Sequence, residues 1–171
     1  MKTIIFALAA SALVLVGCNN KDKELTAQYD VLVMQQDSLA TISAANKSAH
    51  QEMVAMHQVM TEKLNAMETK DSSLMVTMAE HEVIFKNHEA IIAGQDAMIA
   101  GNNELKEKFA TLTAEEKEAQ IALIIENQNT MIEQNETLKA EHEQLMAKHQ
   151  DVMAKVQAPV VTEEDEKMMQ Q

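Results

Sequence analysis

Apolar residues return along this chain every seven positions, with further apolar positions three or four residues on, over most of its length. One column of the repeat runs Leu25, Leu32, Leu39, Asn46, Met53, Met60, Met67, Leu74, His81, His88, Gln95, Asn102 and Phe109. Flanking columns hold Ile42, Met56, Ile84, Ile91, Met98 and Leu105, and Leu64, Met78, Phe85, Ile92 and Ile99. An apolar stripe sustained over so many heptads predicts α-helices packed in coiled-coil fashion. Past Phe109 the frame changes. Thr113-Ala114-Glu115-Glu116 has the form of a capping box, in which the threonine hydroxyl and the glutamate carboxylate satisfy free backbone N–H groups, so it marks a new helix start. The second frame runs Ile121, Gln128, Asn135, His142, His149 and Val156, flanked by Ile124, Met131, Leu138, Leu145 and Val152 and by Ile125, Ile132, Met146 and Met153. Pro159 ends this helix, and the acid-rich segment 158–171 reads as a disordered tail.

Folding the chain back between Ala110 and Thr113 sets Phe109 against Ile121, Asn102 against Gln128, Gln95 against Asn135, His88 against His142 and His81 against His149. Amides then face amides and histidines face histidines. Lys70-Asp71-Ser72-Ser73 is a second turn or cap signal, so three segments of similar length result: Leu25–Thr69, Leu74–Ala110 and Ala114–Val156. The expected fold is an all-α, antiparallel three-helix bundle or coiled coil spanning 25–157. Its rival is one long helix over 25–110 with the helix 114–156 folded back on its distal half, because the heptad column crosses Asp71 without a change of phase. Gly94 and Gly101, each costing about 1 kcal/mol relative to alanine in a helix, are expected where helices approach closely.

Composition narrows this picture. Apolar residues make up 46% of the chain and aromatic residues only 2%, with fourteen Met, three Gly and one Pro, which suits narrow helix interfaces filled by Leu, Ile, Val and Met. The formal net charge is −13, and every basic residue is Lys. Bidentate phosphate recognition by arginine is therefore absent and a polyanion would be repelled, which excludes nucleic acid as a partner.

The N-terminus carries the most specific motif. Lys2 precedes an apolar run from Ile4 to Val16, long enough for a signal-peptide core but short of the roughly 20 residues a membrane-spanning helix needs. The run ends in Leu15-Val16-Gly17-Cys18, which resembles the lipobox of bacterial lipoproteins. That resemblance implies a signal peptide at 1–17 cleaved after Gly17, diacylglycerol on Cys18, and a lipidated tether over 18–24. Two or three acyl chains anchor stably where one is marginal. In that family, Asn19 and Asn20 in place of an inner-membrane retention aspartate imply the outer membrane of a Gram-negative envelope.

For chemistry in the mature chain, no glycine-rich phosphate loop, nucleophile elbow or Ser/His/Asp arrangement occurs, so no enzyme and no small-molecule substrate are expected. All six histidines fall into three pairs at a spacing of seven, His50/His57, His81/His88 and His142/His149. That spacing lies about 10.5 Å along a helix, too long for two metal–nitrogen bonds of about 2 Å. The expectation is that His81, His88, Gln95, Asn102, Gln128, Asn135, His142 and His149 form a polar register column, which penalises slipped alignments because its members are satisfied only when matched. The alternative is metal: His50, His57, His81, His88, His142 and His149, with Met53, Met60, Met146 and Met153 three or four residues away, form a mixed set suited to copper or zinc. Leu112-Thr113-Ala114-Glu115-Glu116 is also similar to the LTxxQ motif of helical periplasmic stress chaperones, although Glu116 stands where Gln belongs. The sequence thus predicts a lipid-anchored envelope scaffold, spacer or accessory subunit that acts through helical protein–protein contact or self-association, with no cofactor beyond the lipid. Its alternative is a metal-binding or chaperone-like periplasmic protein.

Overall fold

The structure, a computed structural model, describes residues 18–67 and 72–157, with side chains from Lys21 onward. The expected signal peptide, the side chain of Cys18, Lys70 and Asp71, and the tail at 158–171 lie outside the described residues. Three helices make up the fold: α1 over Cys18–Ala66, α2 over Ser72–Lys108 and α3 over Ala114–Gln157, with a short 3₁₀ turn at Phe109–Thr111. Each packs against the other two. The molecule is an all-α bundle, and no strand occurs among the described residues.

Rings brought to the same height fix the direction of each helix. His50 of α1 lies beside His88 of α2 and His142 of α3, while His57 lies beside His81 and His149. Numbers that rise on α1 and α3 fall on α2, so the course is up, down, up. The single long helix over 25–110 does not form: α1 ends at Ala66 and α2 runs back alongside it. The unbroken heptad phase across Asp71 therefore belongs to two helices that start in the same frame, each closing on its own neighbours.

The reversal from α2 to α3 uses the capping box. The Glu116 carboxylate accepts from the Thr113 backbone N–H and hydroxyl, each at 2.8 Å, while the Glu116 backbone N–H donates to Thr113 Oγ1 at 3.3 Å. These bonds to Thr113, the backbone one foremost, hold the Glu116 carboxyl below its ordinary pKa. Glu115 and Glu116 in the first turn of α3 also complement the positive end of the helix dipole.

The core is a stack of thin layers. At the reversal end, Leu25, Tyr29, Leu32, Phe109, Ile121 and Ile124 pack together, with Tyr29 stacked on Phe109 at 3.7 Å between ring centroids. At the opposite end Met60, Leu64, Leu74, Met78 and Val152 close the bundle, and Met53, Phe85 and Leu145 form a separate cluster between. Met131 and Leu138 are fully buried, each such side chain contributing about 1.5–3 kcal/mol by leaving water.

The structure departs from the sequence reading in four places. Segment 18–24, expected as a tether, is helical: Lys117, itself buried, reaches Asp22 at 2.6 Å and Lys21 reaches Glu118 at 2.8 Å, so opposite charges draw the start of α1 onto α3. On α1 the buried face includes Tyr29, Gln36, Ser43, His50, His57 and Leu64, so the Leu/Met column supplies only one edge of the seam. Ile42 and Met146, expected as flanking core, are exposed. Nor do Gly94 and Gly101 admit a close helix approach, because a Cβ at either position meets no atom within 4 Å.

Candidate metal centres

Below the reversal the polar column becomes a ladder of hydrogen bonds. Asn102 donates to Gln36 at 2.9 Å, and Gln128 donates to the Leu32 carbonyl at 2.7 Å. Ser43 donates to Gln95 at 2.6 Å, Gln95 to Gln134 at 3.2 Å, and Asn46 to Asn135 at 2.8 Å. The amides of α2 and α3 thus find their partners largely on α1 or one position along α3, rather than in the direct Asn102/Gln128 and Gln95/Asn135 pairs expected. The Gln36 side-chain oxygen of α1 accepts from both Asn102 and Gln128, so these two amides meet through it.

The six histidines behave differently. They sort into two layers of three, one residue from each helix: His50, His88 and His142, and one heptad further on His57, His81 and His149. All six are buried, with His81, His88 and His149 fully so. Within each layer the α2 and α3 rings meet edge to face at 4.9 Å between centroids, and the α1 ring stands at 5.6–6.1 Å from both. Met53, Phe85 and Leu145 fill the space between the layers, with Phe85 edge-on to both His50 and His57.

Ten of the twelve imidazole nitrogens are buried without a hydrogen-bond partner in the protein: both of His50, His57, His81 and His149, Nδ1 of His88 and Nε2 of His142. A buried polar atom left unbonded destabilises a fold by about 1–3 kcal/mol, and native cores contain few of them. The amide layers on the same seam come close to that rule, with the Asn135 Nδ2 their one buried amide atom left unpartnered among the described residues; the histidine layers break it.

One nitrogen from each ring of a layer lies within 4.8 Å of the others. Three metal–nitrogen bonds of about 2.0 Å place donor atoms about 3.3–3.5 Å apart, so modest rotations about the side-chain torsions close each triad on one ion. The protonation state fits as well. Burial is the first cause holding His50, His57 and His81 below the ordinary histidine pKa, and it brings His142 and His149 down to about 4. Neighbouring histidines add to the effect at His50, His81, His142 and His149. Neutral imidazole is the form that ligates metal. What the arrangement offers is a three-nitrogen donor set, drawn from three separate helices and shut away from water.

Of the methionines in the alternative ligand set, Met53 lies in the layer between the triads, Met60 in the layer beyond His57, and Met153 half-buried against that same cluster. Met146 is exposed and outside both triads. Glu141 was not foreseen: its carboxylate lies 2.6 Å from His88 Nε2. No spacing in the sequence marks it, since it points across to α2 from a position adjacent to His142. Comparisons with protein families, with curated proteins and with solved structures give no match to this chain.

Proposed function

We propose that this chain is a metal-binding protein of the cell envelope, held to the membrane through a lipid on Cys18, whose bundle carries two three-histidine centres for copper or zinc. The observation that carries the reading is the pair of buried triads, in which one nitrogen of each ring lies within 4.8 Å of the other two and ten of the twelve imidazole nitrogens lack a hydrogen-bond partner. Metal supplies a partner to one nitrogen of each ring, and it binds the folded chain far better than the unfolded one, in which the ligands are scattered. Binding and folding are therefore linked.

The anchor rests on the lipobox-like Leu15-Val16-Gly17-Cys18. No helix among the described residues is long and apolar enough to cross a membrane. Cys18→Ser should abolish labelling by radioactive palmitate and release the protein into the soluble fraction; unchanged labelling removes the anchor.

The test of metal binding is titration of chelator-stripped protein with Zn(II), and anaerobically with Cu(I), followed by thermal unfolding. Saturation at 100 times Kd should stabilise the fold by about 2.7 kcal/mol for each centre filled. Binding no tighter than about 10 μM, roughly −7 kcal/mol, defeats the reading. A second reading, that of a metal-free scaffold or accessory subunit, is favoured by the amide ladder, which sets helix register without any ligand. On that reading the titration leaves the melting curve unmoved.

A further inference from the structure

The two triads are built from the same residue type on the same three helices, yet their surroundings differ in charge and in softness. Resting on the metal-binding reading above, we infer that the His50/His88/His142 centre takes a divalent ion such as Zn(II), and the His57/His81/His149 centre takes Cu(I).

At the first centre the Glu141 carboxylate sits 2.6 Å from His88 Nε2. That contact fixes the tautomer: Nε2 keeps its hydrogen and donates it to Glu141, leaving the lone pair on the buried, unpartnered Nδ1. A carboxylate behind a ligating imidazole raises the basicity of the ligand and holds its ring in place. It also brings one negative charge to the edge of the site, and a buried dication needs such compensation. Glu89 adds a further acidic influence at His50.

Among the described residues the second centre has no such partner. The nearest carboxylate, Glu82, stands 4.0 Å from His57 Nε2, beyond hydrogen-bond distance, and is itself largely exposed. Lys148 acts on His81 with a like charge, opposed by Glu80. A second positive charge on the metal gains little here. Instead the centre lies between two layers that carry sulfur: Met53 on one side, and Met60 and Met78 on the other, all buried. Three neutral imidazoles in a polarizable, thioether-rich core suit a soft monocation. With Glu141 counted at the first centre, each loaded centre carries a net charge near one.

The apolar Met53/Phe85/Leu145 layer and the separation of about 10.5 Å between triads let each centre be filled without a bond shared with the other.

The experiment loads the purified full chain anaerobically with one equivalent each of Zn(II) and Cu(I) and reads each affinity against a chromophoric competitor. Parent protein should hold one of each. Glu141→Gln should weaken Zn(II) binding by about 10- to 100-fold and leave Cu(I) affinity unchanged. His81→Gln/His149→Gln should lose Cu(I) and keep Zn(II), and His88→Gln/His142→Gln the reverse, with circular dichroism confirming the fold. Because Glu141 is half-exposed, its substitution keeps the test open even where a double histidine variant fails to fold. Two ions of one kind bound with equal affinity, or Zn(II) binding untouched by Glu141→Gln, overturns the division between centres while leaving metal binding intact. No ion bound at all overturns both.

Discussion

Lowering the pH should unfold the metal-free bundle in a way its histidines control. In the presence of chelator, consider a change from pH 7.5 to 5.5. His142 and His149, with an ordinary value near 6.5 when unfolded, are held at about 4 in the fold. For His142 the causes are burial, then His88 and His50, opposed by Glu141; for His149 they are burial, then His81 and His57. Between pH 6.5 and 4 the unfolded chain binds protons that the folded chain refuses, so the stabilisation is fully present above 6.5 and is lost progressively as pH falls towards 4. Each of the two groups loses about 1.3 kcal/mol over the interval. They stand in different layers, about 10.5 Å apart along α3, so the losses add to roughly 3 kcal/mol. That is a large share of the 5–15 kcal/mol by which a domain is typically stable. Urea unfolding followed by circular dichroism reads it directly: with a slope on the order of 2 kcal/mol per molar, these two groups alone should lower the midpoint by about 1.3 M. His142→Gln/His149→Gln should lose much less over the same interval, retaining only the contributions of His50, His57 and His81, which are also held low. Equal midpoint shifts in parent and variant would refute the claim that these two rings are buried neutral.

Three further outcomes follow from the packing. Gly94→Ala and Gly101→Ala should each stabilise the bundle by about 1 kcal/mol, because an added Cβ meets no atom; thermal unfolding of the double variant checks it, and a loss of stability contradicts the open surroundings. Thr113→Ala, which removes the hydroxyl of the capping box, should cost about 1 kcal/mol in urea unfolding. Ser43→Ala leaves the buried Gln95 carbonyl oxygen without its donor and should cost about 1–3 kcal/mol, while Ser43→Ala/Gln95→Leu should recover much of that loss.

The helices and their reversal could be read from the chain because both depend on local rules. A heptad of apolar residues needs only helical geometry to form a stripe, and the Thr113/Glu116 box is closed by residues three apart. The facing of His81 with His149 and of His88 with His142 was legible for the same reason: a hairpin with a known turn has a single register. The face of α1 was not. Its Leu/Met column outweighed the neighbouring column of Tyr29, Gln36, Ser43, His50 and His57, whose burial depends on polar partners on two other helices. Pairs of histidines were therefore visible, but the third member of each triad was not. Glu141 was illegible because a glutamate on an acidic helix looks the same whether it faces water or an imidazole.

The course of the helices fixes more than the triads. Cys18 opens α1 at the reversal end, where Tyr29 stacks on Phe109, and both histidine layers lie towards the other end. From Cys18 to His50 and His57 the helix rises about 48 and 58 Å. A chain tethered at Cys18 and standing upright would carry its two centres at the top of a mast, clear of the lipid headgroups.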